Sequence, residues 1–161
     1  MVSEKLTYGY KLKTTSTIES PKTRCVLVWS TNASGSIPPF ENHHLNKQKR
    51  NRKMIVVDPR RTETAELADI HLQIRPGTDG ALALGFHHLI FVNGWQDQDF
   101  LNEWASGLDE FREYIKDFTP AVVAEICGID EADLRAAAEM FATELPSQIA
   151  MSPTSTVQHS N

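Results

Sequence analysis

The first half of the chain sets short, continuous apolar runs among long polar stretches. The second half carries apolar residues at helical spacing. CVLVW (25–29) and MIVVD (54–58) are rich in β-branched residues and show no alternation, the pattern of strands buried on both faces. Between them lie STNASGSIPP, a loop of turn-formers with two prolines, and a polar, helix-permissive stretch from about Phe40 to Arg52. Strand, crossover and strand on this scale make a βαβ unit, which builds a parallel sheet. IHLQI (70–74) alternates apolar and polar and predicts a third strand, reached through RRTETAELAD, which has room for a single helical turn. ALALGFHHLIFVNG (81–94) is apolar nearly all round and predicts a buried helix with Gly94 as its C′ stop. Gly85 inside it costs about 1 kcal/mol relative to alanine, which close packing on a sheet would offset.

Four further helices follow, in DQDFLNEWA, GLDEFREYIKDF, TPAVVAEICG and DEADLRAAAEMFAT. Thr119-Pro120 is an N-cap followed by proline at the first helical position. Asp130 can cap the last helix, on which Leu134, Ala138 and Phe141 share a face. After Pro146, IAM (149–151) begins one more strand. The fold class is therefore α/β, a Rossmann-like parallel sheet flanked by helices with a helical second half. Residues 1–24, polar and weakly periodic, are an irregular lead-in, and 25–161 form the domain.

Composition narrows the function classes. At 161 residues the chain fits one domain with a real core, and its 40% apolar and 23% charged residues are ordinary for a globular protein. No run approaches the roughly 18 apolar residues that span a bilayer. MVSEKLTYGYKLKTT has neither a secretory h-region nor a twin arginine. A net charge of −5 argues against a nucleic-acid binder. Cys25 and Cys127 stand alone, outside any C-x-x-C pair, and read as small buried hydrophobes.

The candidate chemistry lies in the loops. In open α/β sheets, ligands sit at the carboxyl ends of the strands. Three loops leave such ends: STNASGS, DPRRT and RPGTDG. Asp58 can accept bonds from ribose hydroxyls or simply close its strand. Arg60 and Arg61 can hold phosphate through charge-assisted bonds or act as surface ion-pair formers. Gly77, Thr78 and Asp79 open a helix whose first N–H groups are unpaired and favour acceptors. The Asp79 carboxylate can cap the helix beginning at Gly80, or accept two parallel bonds from a guanine edge. Together the loops form a nucleotide cradle. Neither G-x-G-x-x-G nor G-x-x-x-x-G-K-[ST] is present, which argues against an NAD-dependent dehydrogenase and a P-loop NTPase. The pairs His43-His44 and His87-His88 lack metal-ligand spacing, and no residue is assigned as catalytic or metal-binding. LNKQKRNRK (45–53) reads as a solvated crossover helix. Trp95, Trp104 and Phe111 read as core or interface anchors.

At VVDPRRTETAELADIHLQIRPGTDGALALG the chain closely resembles the cofactor-binding domain of bacterial and archaeal molybdopterin oxidoreductases, the dimethyl-sulfoxide-reductase superfamily. The resemblance runs from about residue 24 to 161 and is strongest from 54 to 85. CVLVWSTN, TPAVVAEICGIDEADLRAAAEMFAT and TVQHSN resemble further segments of it. That resemblance implies two molybdopterin guanine dinucleotides around one molybdenum or tungsten atom, with this domain holding the guanosine diphosphate part of one. By position, Trp29, Ser30, Thr31, Asn32 and Ser36 belong to the first loop over the dinucleotide. Asp58, Pro59, Arg60, Arg61 and Thr62 line the nucleotide. Gly77, Thr78 and Asp79 complete the guanine end, and Thr154 and Gln158 fall where a last loop approaches the pterin. The family usually has glycine where Ser30 stands, and often at Ser155.

The family's metal ligand and its iron–sulfur cysteines usually lie upstream, and two isolated cysteines cannot hold a cluster. Met1 enters mid-domain and Asn161 leaves mid-motif, so the chain reads as a piece of a longer enzyme that alone does not turn over. The resemblance implies as partners the remaining domains of that enzyme and an iron–sulfur electron-transfer subunit, with no nucleic acid and no direct membrane insertion. Its compartment, cytoplasm or periplasm, stays open, as does the reaction. Two other readings compete: a non-catalytic guanine-nucleotide-binding domain of the same fold, and an unrelated α/β interaction module. A domain cut from a larger enzyme exposes apolar faces that promote association. The isolated chain is therefore expected to be poorly soluble; a sharp, cooperative melt of a monomer by calorimetry would contradict this.

Overall fold

The computed structural model describes residues 22–32 and 52–151. Most of the lead-in, most of the predicted crossover helix with its basic run, and Ser36, Thr154 and Gln158 lie outside them. Among the described residues, β1 (Cys25–Trp29), β2 (Lys53–Val57), β3 (Ile70–Leu72) and β4 (Ser147–Met151) form one sheet in the order β3-β2-β1-β4. Every pairing is parallel, with Cys25 opposite both Lys53 and Ser147 and Trp29 opposite both Val57 and Met151. The helices are α1 (Glu63–Glu66), α2 (Asp79–Val92), α3 (Gln98–Trp104), α4 (Leu108–Ile115), α5 (Pro120–Cys127) and α6 (Glu131–Thr143). The Rossmann-like α/β fold expected from the apolar runs is the fold observed.

Alternation along β1 divides the core. Cys25, Leu27 and Trp29 join Ile55, Val57 and Leu72 under α2, α5 and α6. Val26 and Val28 join Met54, Val56, Ala150 and Ala65 of α1 on the other face. Each fully buried aliphatic side chain here, Leu27 and Ile55 among them, contributes about 1.5–3 kcal/mol relative to exposure. Asp69 clamps the start of β2. It accepts from the Met54 N–H at 2.8 Å, and its own N–H donates to the Met54 carbonyl at 2.8 Å.

Several boundaries move. MIVVD gives a strand from Lys53 to Val57, so Asp58 lies just past it. IHLQI pairs only as far as Leu72, because the Ile74 N–H turns back onto the Leu72 carbonyl at 3.1 Å and ends the ladder. In the basic run, Arg52 is buried and Lys53 belongs to β2. The helix predicted from 81 begins at Asp79. It is not apolar-packed all round: Leu82, Gly85, Phe86 and Leu89 are buried while Val92 is 70% exposed. Gly94 follows it at φ +69°, as expected of a C′ glycine.

Gly85 is the informative exception. It packs on a helix, not on the sheet: a Cβ there would lie 2.8 Å from Val123 Cγ1 and 2.9 Å from Cγ2. Val123 is fully buried on α5 and, being β-branched, has little freedom to turn away. The missing Cβ is what lets α2 and α5 approach. Gly85→Ala should therefore destabilise by about 1–3 kcal/mol through overpacking, despite alanine's better helix propensity. Adding Val123→Ala should remove most of that penalty in a double-mutant cycle read by denaturant unfolding; strict additivity would break the assignment.

Candidate functional site

The sheet order places the carboxyl ends of β3, β2 and β1 side by side, and the loops leaving them meet. Trp29 ends β1 on the α2-facing side, 7% exposed, and packs against Phe86 with ring centroids 6.3 Å apart. Its Nε1–H donates to Asp79 Oδ1 at 2.7 Å. Ser30 turns the chain at φ +51°, the one non-glycine residue with positive φ among those described. The Ser30 N–H donates to the Val57 carbonyl at 2.8 Å, and its Oγ lies 3.4 Å from the same Asp79 oxygen. Asp79 is the first residue of α2, behind Thr78 at the cap position. It therefore does not cap the helix; it ties the first loop to the third. Its second oxygen, Oδ2, is buried with no hydrogen-bond partner. An apolar cleft of about 330 Å³ opens beside Asp79, with Trp29, Phe86, Ile90, Ile149 and Met151 among its walls.

The second loop is built differently. Asp58 is buried, and its Oδ1 accepts from the Arg60 N–H at 2.8 Å, a tight side-chain turn that closes the strand. The Pro59 carbonyl accepts from Gln73 Nε2 at 3.0 Å. Arg60 and Arg61 are exposed, with Arg61 3.8 Å from Glu66. Thr62 is buried and caps α1, accepting from the Ala65 N–H at 3.2 Å. Past half-buried Thr31, Asn32 donates to Glu63 Oε2 at 3.2 Å and accepts from Thr64 Oγ1 at 3.0 Å. The Asn32 bond helps hold the Glu63 carboxyl below the usual range, after the stronger effect of the backbone donor at Glu63 itself. The first loop is thus the shared member, joined to Asp79 on one side and to α1 on the other.

Two residues that the sequence reading passed over hold these loops. His71 Nε2 donates to the Asp58 carbonyl at 2.9 Å. Arg75 reaches the carbonyls of Glu125 at 2.7 Å and Ile126 at 3.1 Å, at the end of α5, while its N–H donates to the Cys127 carbonyl at 2.8 Å. Gly77, at φ +86°, and Thr78, whose Oγ1 donates to the Arg75 carbonyl at 2.7 Å, complete the turn into α2. The last carbonyls of any helix need donors, so an arginine just before RPGTDG's proline was the available signal. Among the described residues no group of three or more His, Cys, Asp or Glu converges as a metal site.

Residues 1–159 match the family described as Molybdopterin oxidoreductase. The chain belongs to that family. Among curated relatives, the acetylene hydratase of Syntrophotalea acetylenica is 46% identical over 101 residues, 63% of this chain and 14% of that protein. Formate dehydrogenase H of Escherichia coli (strain K12) is 34% identical over 124 residues, 77% of this chain and 17% of that protein. The solved structure of acetylene hydratase from Pelobacter acetylenicus superposes with a TM-score of 0.76 at 39% identity, over 84% of this chain and 19% of that one. The chain thus spans a fifth or less of the length of these relatives. Membership in the molybdopterin oxidoreductases implies a molybdopterin-type cofactor in general terms.

The two cysteines of this molybdopterin oxidoreductase chain are free and buried. Burial pushes the Cys25 thiol up to about 12 from 9.0, helped by Glu144 and Asp69 and opposed by Lys53. Burial likewise raises Cys127, against a bond from its Sγ to the Thr78 carbonyl. Thiolates are the reactive form, so neither should react with a thiol reagent at pH 8 unless the chain unfolds. A raised folded pKa on an acid means stability that is whole below the unfolded value and is lost above it. Stability should accordingly fall between pH 9.0 and about 12, and Cys25→Ala should flatten that limb of a pH-dependent denaturation profile.

Proposed function

We propose that this chain holds the guanosine diphosphate end of a molybdopterin guanine dinucleotide within a longer molybdenum or tungsten oxidoreductase. The observation that carries this reading is the second oxygen of Asp79, buried and without a hydrogen-bond partner. Buried polar atoms in native proteins are nearly always satisfied, so this acceptor calls for a donor. A guanine edge offers adjacent N–H donors, and a carboxylate has about four acceptor positions, of which Trp29 takes one firmly. The residues present therefore fit the group. Asp79 also begins a 14-residue helix, whose dipole favours negative charge at that position. Arg60 and Arg61, exposed on the neighbouring loop, add positive charge. Asp58, Thr62 and Asn32 line this cradle and also frame it, through the bonds that Asp58 Oδ1, Thr62 Oγ1 and the Asn32 amide make to the turn and α1. Ser36, Thr154 and Gln158 belong to the proposed site by resemblance alone.

Support also comes from the range of the relatives. One is named for hydrating acetylene, others for formate dehydrogenation and nitrate reduction. A segment common to proteins of such different reactions suits a shared cofactor better than any one substrate. The bound cofactor supplies two-electron redox or oxygen-atom-transfer chemistry at its metal, while this chain's part is to bind and orient the nucleotide end. In this reading the metal ligand, the iron–sulfur cysteines and an electron-transfer partner come from outside these 161 residues.

Calorimetric titration of the full chain with GDP tests the reading. GDP should bind, ADP should not compete, and Asp79→Ala should weaken GDP by about 1–3 kcal/mol, the cost of one lost buried polar partner. A folded chain that takes up no GDP would overturn the assignment, and an unchanged Asp79→Ala affinity would remove Asp79 from it.

A further inference from the structure

We infer that Trp29 is a positioning residue, which fixes the Asp79 carboxylate so that one chosen oxygen is left to read the base. The inference rests on the guanine reading above and goes past it in assigning Trp29 a role that excludes direct contact with the nucleotide through its N–H. An indole has a single N–H to donate. That of Trp29 is spent on Asp79 Oδ1 at 2.7 Å, and the ring is buried against Phe86. Ser30 Oγ approaches the same oxygen at 3.4 Å. Both protein donors therefore sit on Oδ1, and Oδ2 is the oxygen without a partner. An aspartate carboxylate otherwise rotates broadly about its last torsion and presents either oxygen. Trp29 removes that freedom before any ligand arrives, and preorganised acceptors discriminate better than mobile ones. It also sits at the end of the central strand, paired on both sides with Val57 and Met151, so its own place is held by the sheet.

An Oδ2 fixed where it accepts from the 2-amino group should tell guanine from hypoxanthine, which lacks that donor. The test compares GDP with inosine diphosphate on the full chain. Trp29→Phe keeps an aromatic ring against Phe86 and deletes the donor. It should weaken GDP about tenfold while weakening inosine diphosphate far less, so that the ratio of the two affinities shrinks. A purely structural role would weaken both alike; an unchanged ratio overturns the inference and leaves the guanine reading standing. Absence of GDP binding by the folded native chain overturns the guanine reading, and the positioning role falls with it.

A second measurement needs no change at Trp29. In the chain labelled with 15N-tryptophan, the three indole signals are assigned by Trp95→Phe and Trp104→Phe. The Trp29 indole proton should move upfield in Asp79→Asn, where it loses its charged acceptor. At saturating GDP it should keep its hydrogen-bonded position in the native chain. Release of that proton on GDP addition would mean that Asp79 abandons Trp29 for the ligand, and overturns the inference.

Discussion

Parallel neighbours on both sides of β1 constrain everything else in this molecule. Consecutive parallel strands must be joined by crossovers, so each strand points its carboxyl end at the same edge. With β2 and then β3 lying beside β1, three loops are forced into adjacency there. The alternation that buries Cys25, Leu27 and Trp29 on one face also decides which helix Trp29 meets. It is α2, whose first residue is Asp79. The meeting of an indole N–H and a carboxylate thus follows from strand parity and sheet order together.

Features governed by local chemistry were readable from the chain. β1 and β2 were evident as unbroken apolar runs, and α5 and α6 as periodic stretches behind Thr119-Pro120 and Asp130, whose side chains do accept from Val122 and Ala132. Features governed by distant contacts were not. The length of β3 depends on a turn at Ile74, which no alternation of apolar and polar residues encodes. The purpose of Gly85 depends on Val123, on a different helix. In the candidate site, residue types and loop positions were legible, while their hydrogen-bond commitments were not. Asp58 and Thr62 have side chains that can serve a ligand or a turn equally well, and only the fold shows the turn and cap bonds that Asp58 Oδ1 and Thr62 Oγ1 accept.

Arg75 shows how the site is stiffened. Its guanidinium lies on the last carbonyls of α5 and against Gly128, where a Cβ would sit 2.8 Å from its Nε. Positive charge at a helix C-terminus is favourable there, by about 0.3–1 kcal/mol when exposed. The same contacts anchor the loop that carries Gly77, Thr78 and Asp79. Together with the glycine contact between α2 and α5, they bind the third loop to the helical half of the protein.

The pairing of β1 with β4 has a consequence in time. Cys25 faces Ser147 and Trp29 faces Met151, so one edge of the central strand finds its partner only after everything from β2 to α6 has been made. Closing so long a loop is entropically late, and such non-local pairings slow folding. At ribosomal speeds of about 5–20 residues per second, β1 spends several seconds with an open edge while the intervening helices emerge. A nascent chain in that interval is most exposed to mispairing at the strand whose Trp29 will later bond Asp79.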